Sequence, residues 1–160
     1  MNLILWRHAE AEEGSDDLSR RLTEKGHAQA QATAQWLQTY LPENTQVWVS
    51  QAARSQQTAA ALGRPYTVVP ALNPINQVKE LPVLLQATRP DDCLVWVGHQ
   101  PWIGQLCSYL LNEEWLAGQY WSVKKSGLWW FKLRFVADGH PHAKLKAAMT
   151  PQLLLPDDEV

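Results

Sequence analysis

Asn2-Leu3-Ile4-Leu5-Trp6-Arg7-His8 and Cys93-Leu94-Val95-Trp96-Val97-Gly98-His99 decide the fold. Each begins as an apolar run too short for a core helix and without polar alternation, as expected of a strand covered on both faces. Each ends at a histidine. Between them, residues 9–21 hold Gly14, Ser15, Asp16 and Asp17 and read as a loop. Thr23 is placed to cap a helix reaching about Leu41, where Pro42 stops it, with Ala30, Ala34, Leu37 and Leu41 as its inner face. Residues 46–49 predict a second strand. Ser50 is expected to cap a helix through Leu62, closed by Gly63 and followed by Pro65, and residues 66–69 a short third strand. Over 73–89 helical turns alternate with the breakers Pro74 and Pro82.

Beyond His99, Pro101 suits a first helical position, and Ile103, Leu106, Cys107, Leu110 and Leu111 form one apolar stripe. Residues 128–135 and 143–147 alternate apolar with basic side chains around Asp138-Gly139, which predicts an antiparallel hairpin. Trp129-Trp130 must send one ring to each face of that strand. Strands alternating with helices give an α/β class: a three-layer α/β/α sandwich with a mostly parallel central sheet and an antiparallel C-terminal hairpin. One domain is expected over residues 1–150, with a loose tail over 151–160 ending Asp157-Asp158-Glu159.

Composition narrows the function classes. An apolar share of 46% and a charged share of 19% exclude disorder from low hydrophobicity. Fourteen basic against sixteen acidic residues, net −2, give no field that recruits nucleic acid or an anionic membrane. No apolar run approaches the ~18 residues of a membrane span, and residues 1–6 run into Arg7-His8 without the features of a signal peptide. Cys93 and Cys107 make neither a disulfide framework nor a paired metal motif. The expectation is a cytoplasmic monomer without cofactor or metal. Nine tryptophans suit core and sheet packing, with a partner or substrate platform around Trp115, Trp121 and Trp129 as the alternative.

In such sheets ligands bind beyond the carboxyl ends of the strands. His8 and His99 lie there, with Arg7 and Gln100 beside them. Arg54, in the first turn of a helix that directly follows a strand, reaches the same rim, where a guanidinium favours an oxyanion. Arg20, Arg21 and Lys25 add positive charge near the loop after His8. Arginines and histidines without clustered carboxylates suggest a phosphate site rather than a metal site. The sequence has no P-loop, dinucleotide fingerprint, zinc motif or Gly-x-Ser-x-Gly elbow, which leaves histidine as the candidate nucleophile.

Residues 3–12, Leu-Ile-Leu-Trp-Arg-His-Ala-Glu-Ala-Glu, resemble the Arg-His signature of the histidine phosphatase superfamily, the phosphoglycerate-mutase-like fold. Three further blocks resemble that family in the same order. Residues 17–26 resemble its Arg-Pro-Leu-Thr-x-x-Gly stretch, residues 50–59 its Ser-Pro-x-x-Arg-Ala-x-Gln-Thr-Ala helix, and residues 97–101 its Val-Gly-His-Asn-Pro. Small size and the Arg-His-Ala-x-Ala start are most similar to the SixA-type branch, which removes phosphate from phosphohistidine in proteins. Departures are Ala9 for glycine, Arg21 and Gln51 for proline, and Gln100 for asparagine.

The resemblance implies that His8 attacks phosphorus to form a phosphohistidine enzyme, which water resolves to inorganic phosphate. It assigns Arg7, Arg54 and His99 to the phosphate pocket, with Arg20 as a further contact. His99 is expected to help most as imidazolium. Larger members carry a carboxylic acid after the third strand; residues 70–74 have none, and Glu80 is the nearest candidate, with Glu10 behind it. That gap suits an imidazole leaving group, and the expected partner is a phosphohistidine-bearing protein of a phosphorelay. The alternatives are a phosphatase for a small phosphomonoester and an idle phosphate-binding module. Ser126 is a candidate for the pocket rim. His27, His140 and His142 read as surface residues, the last two flanking the hairpin turn without a carboxylate or cysteine at metal spacing.

Overall fold

The structure, a computed structural model, describes residues 1–86, 88–136 and 139–156. Strands β1 (Asn2–Arg7), β2 (Gln46–Val49), β3 (Thr67–Val68), β4 (Cys93–Gly98), β5 (Leu128–Phe135) and β6 (Pro141–Met149) form one sheet in the order β3-β2-β4-β1-β5-β6. The first four in that order are parallel, and β5 and β6 add an antiparallel hairpin beside β1. β1 is therefore central and paired on both sides.

Alternate residues of β1 and β4 face opposite layers, as a period of two requires. Ile4, Trp6, Val95 and Val97 pack with Ala34 and Leu37 of α1 (Glu24–Tyr40) and Ala59 of α2 (Ala53–Ala60). Leu3, Leu5, Leu94 and Trp96 pack with Ile103, Leu106 and Cys107 of α3 (Trp102–Asn112). The same layer includes Leu72, Leu81 and Leu85, from 3-10 segments Pro70–Leu72 and Val78–Leu85. This is the expected three-layer sandwich. Each fully buried Leu or Ile contributes about 1.5–3 kcal/mol, so the two layers anchor β1 and β4 firmly. Trp129 packs toward the α3 layer and Trp130 toward the α1 layer, one ring per face. No helix among the described residues is long and apolar enough to cross a membrane.

Thr23 caps α1, its hydroxyl accepting from Gly26 N at 3.0 Å and donating to Glu10 Oε2 at 2.7 Å. A Cβ on Gly26 would lie 2.0 Å from the Glu10 carbonyl oxygen, so only glycine lets α1 approach the loop after β1. Three details differ from the sequence expectation. α2 begins at Ala53 with Ala52 as its N-cap residue, because the Ser50 hydroxyl accepts from Ala52 N at 3.2 Å, ahead of the helix, and from His99 Nε2 at 2.7 Å. α3 begins one residue after Pro101. Leu111, at the margin of the apolar stripe, is 38% exposed because the stripe is wider than the layer that covers it. Pro151–Leu153 forms a 3-10 turn with Pro151 buried. Asp138 of the expected turn and the acidic Asp157-Asp158-Glu159 end lie outside the described residues.

Candidate active site

Arg7 of β1 lies opposite Gly98 of β4, so the residues that follow both strands leave the same edge of the sheet. His8 N donates to the Gly98 carbonyl at 3.0 Å. The imidazoles of His8 and His99 stand 5.1 Å apart between ring centroids, tilted by 51°. Both side chains are buried. Arg54 comes in from α2, which follows the strand next to β4, and its Nη2 is 3.4 Å from His99 Nδ1. Arg7 closes another side, with Nη1 donating to the Val123 carbonyl at 2.8 Å. Four residues from three separate stretches of the sequence thus share one cup.

The hydrogen bonds fix the tautomers. His8 Nδ1 is 2.7 Å from the Ala9 carbonyl, which only accepts, so Nδ1 carries the proton and Nε2 keeps its lone pair. Arginine only donates, so His99 Nδ1 accepts from Arg54 and Nε2–H points to Ser50 Oγ at 2.7 Å, with Ser55 Oγ at 3.2 Å. Burial, with Arg54 and Arg7 adding repulsion, pushes His8 down to about 3 despite its bond to Ala9. Burial, then His8 and Arg54, push His99 down to about 2. Both rings are neutral at pH 7. The imidazolium expected at His99 is thus absent until an anion offsets the surrounding cations.

Among the described residues, Arg7 Nε and Arg54 Nε are buried without a hydrogen-bond partner, in a side chain only 4% exposed for Arg54. A buried donor left unmatched costs about 1–3 kcal/mol. Their sharing of a cup with two neutral imidazoles fits an oxyanion with several acceptor oxygens. Among the described residues no group of three or more His, Cys, Asp or Glu side chains is placed to hold a metal ion.

Arg20 lies at the rim, its Nε donating to the Glu12 carbonyl at 2.7 Å and its Nη1 to Asp17 Oδ1 at 3.1 Å. Asp17 itself escaped the sequence reading. Its Oδ2 accepts from Arg54 Nη2 at 3.0 Å and its carbonyl from Arg54 Nη1 at 2.6 Å. Partial burial pushes its carboxyl up, but the hydrogen bonds from Arg54 and Arg20 outweigh that and hold it below its ordinary value. Glu80 is exposed on its 3-10 segment, and no hydrogen bond or ion pair joins its side chain to the cup among the described residues. Glu10 is taken up by Thr23 at the start of α1. Ser126, fully buried with φ 58°, is a structural hub. Its N–H donates to the His8 carbonyl, its carbonyl accepts from Trp6 Nε1 and Thr33 Oγ1, and its hydroxyl donates to the Gln29 carbonyl. His142 lies 2.9 Å from Glu113 Oε1, where the C-terminal end of α3 meets β6.

The family model of the histidine phosphatase superfamily (branch 1) matches residues 3–78. An uncharacterized protein of Picosynechococcus sp. is 30% identical over 169 residues, spanning 98% of this chain and 100% of its own. Among solved structures, the protein histidine phosphatase SixA complexed with tungstate is similar at TM-score 0.81 and 24% identity, over 97% of this chain and 100% of that one. A putative phosphohistidine phosphatase SixA from Nakamurella multipartitia is similar at TM-score 0.74 and 28% identity, over 94% and 96% of the two chains. A phosphoserine phosphatase from Entamoeba histolytica in complex with 3-phosphoglyceric acid shares the fold at TM-score 0.70 and 20% identity, over 96% and 99%.

Proposed function

We infer that this chain, which belongs to the histidine phosphatase superfamily, removes phosphate from phosphohistidine in a protein substrate by way of a phosphorylated His8. One observation carries the reading: the unprotonated Nε2 of His8 shares a cup with buried arginine Nε atoms that have no hydrogen-bond partner among the described residues.

In the first step the His8 Nε2 lone pair forms a bond to phosphorus while the P–N bond of the substrate breaks in line. The electron pair of that bond stays on the leaving imidazole nitrogen. The other ring nitrogen of the substrate, protonated beforehand, keeps its proton, so a neutral imidazole departs. Arg7, Arg54 and His99 bind the phosphoryl oxygens, and Arg20 makes a further contact at the rim. Phosphate charge raises the basicity of His99, whose Nδ1 takes up a proton and donates to an oxygen, while Ser50 and Ser55 hold the ring. In the second step water attacks phosphorus and His8 leaves, its Nδ1–H still on the Ala9 carbonyl. Fixed donors around the transferring group supply most of the rate.

The choice of substrate follows from the carboxylates. Asp17, at the cup, is held ionised by two guanidiniums and has no proton to give. An alkoxide leaving group profits by ~10²–10⁴ from general acid catalysis, and among the described residues neither Asp17, Glu10 nor Glu80 is placed to supply it. Imidazole, with an ordinary pKa near ~6.5, leaves without it. The resemblance to SixA proteins supports the same class.

The test is a phosphate label on His8, stable in alkali and labile in acid, after incubation with a phosphohistidine peptide. Turnover should exceed that on a panel of phosphomonoesters and vanish in His8→Ala. Full turnover by His8→Ala, or a preference for phosphoserine or sugar phosphates, would overturn the reading.

A further inference from the structure

The segment between α3 and β5 touches the cup at two points. The Val123 carbonyl holds Arg7 Nη1 at 2.8 Å, and Ser126 N donates to the His8 carbonyl at 3.1 Å. Upstream, Gln100, the residue after His99, fastens the same segment to α3. Its Nε2 donates to the Trp121 carbonyl at 2.8 Å, and its Oε1 accepts from Gly104 N at 2.7 Å. Trp121 N completes the clasp by donating to the Gly104 carbonyl at 3.1 Å. A Cβ on residue 104 would lie 2.0 Å from the Trp121 carbonyl oxygen, so glycine is required for this approach. Gln100 is one of the four positions where the sequence departs from the family pattern. Its longer carboxamide spans the α3 backbone and the loop at once.

What this fastened segment shows to solvent is Tyr120 and Trp121, 56% and 49% exposed, followed by the exposed Lys124 and Lys125. Trp121 leans on Trp129, with ring centroids 5.5 Å apart. Adjacent aromatic rings left in water on a pinned backbone have the composition of a contact centre, and the lysines beside them suit its polar rim. Binding of the phosphoryl group assigns no task to any of these four side chains.

We propose that Tyr120, Trp121, Lys124 and Lys125 form the docking platform for the protein that carries the phosphohistidine, and that this partner surrounds its phosphorylated histidine with apolar and acidic side chains. The two lysines supply the charge complementarity, and the aromatics the desolvated centre. Gln100 sets the position of the platform relative to His99. The proposal rests on the phosphohistidine reading above and adds what recognises the rest of the substrate.

Two probes separate docking from chemistry. One is free phosphohistidine; the other is an acidic histidine-containing phosphotransfer domain phosphorylated with phosphoramidate. In the double variants Tyr120→Ala/Trp121→Ala and Lys124→Glu/Lys125→Glu, kcat/KM on the domain should fall about tenfold or more through KM, the size of one lost interface anchor. On free phosphohistidine both should stay within about twofold of the parent, and added salt should weaken only the domain reaction. The lysine pair lies outside the packed layers, so it tests the platform even if the aromatic variant folds poorly. Equal losses on both probes, or no loss on the domain, would overturn the platform, as would a parent enzyme that hydrolyses free phosphohistidine no less efficiently than the domain. A parent enzyme inactive on both probes would instead remove the phosphohistidine reading itself.

Discussion

Arg54→Met tests whether the buried guanidinium serves an absent anion or the fold. The substitution keeps an apolar stem of similar length and removes the charge. Function should suffer heavily: Arg54 brings its Nη2 beside His99 and has a buried Nε without a partner among the described residues. Loss of one preorganised donor typically costs ~10²–10³ in rate, about 2.7–4 kcal/mol, so a fall of at least that size is expected. Stability without phosphate should hardly move. The lost ion pair joins Arg54 to a carboxylate that is 53% exposed, which places it among surface pairs of ~0–1 kcal/mol. The bonds to the Asp17 carbonyl and to His99 Nδ1 contribute about 0.5–1.5 kcal/mol each. Against these, an unmatched buried N–H that costs about 1–3 kcal/mol disappears. Asp17 regains water, so the ~3–5 kcal/mol cost of stranding a buried charge does not arise. The terms cancel to within about 3 kcal/mol. Urea denaturation at pH 8 in phosphate-free buffer, beside single-turnover kinetics, reads both quantities. A stability loss above about 4 kcal/mol, or activity within tenfold of the parent, would refute this assignment of Arg54.

Two further outcomes follow from the geometry. His8 and His99 are held at about 3 and about 2, below their ordinary ~6.5, so the unfolded chain binds protons that the folded chain refuses. Their stabilisation is complete above about pH 6.5 and is lost as pH falls toward 3, at up to about 1.4 kcal/mol per pH unit per histidine; saturating tungstate should lessen the loss by favouring protonated His99. Denaturation curves between pH 8 and 5 check this, and a flat profile over that window would contradict it. Gly26→Ala forces a Cβ against the Glu10 carbonyl, a backbone atom that cannot rotate away, so about 1–3 kcal/mol of stability should disappear and turnover should drop as the loop after His8 shifts. A neutral Gly26→Ala in urea denaturation and in turnover would show that α1 has slack there.

The sandwich was legible because its signals are local. The runs ending at His8 and His99 are apolar throughout, and Thr23 caps α1 within one turn. Arg54 was legible from order alone, since a helix that directly follows a strand begins at the sheet's carboxyl edge. Asp17 was not. It reaches Arg54 across 37 positions, and nothing in its neighbourhood distinguishes it from Glu12, Glu13 and Asp16. Ser50 misled for a related reason: a hydroxyl after a strand looks like a helix cap, and here it accepts from Ala52 N, ahead of the helix, and from His99, 49 positions away. The protonation state of His99 was out of reach as well, because desolvation belongs to the packed molecule and not to residue type.

His8 hangs from a strand hydrogen-bonded on both flanks, with Leu3 to Trp6 wholly withdrawn from water. Arg20 and Asp17 sit on a stretch whose residues 12–19 are all exposed. One half of the cup therefore opens only when the whole molecule melts, whereas the other can breathe at little cost. Slow amide exchange at the strand that carries His8 and fast exchange across the facing loop would be the mark of a site that is stiff on one side and yielding on the other.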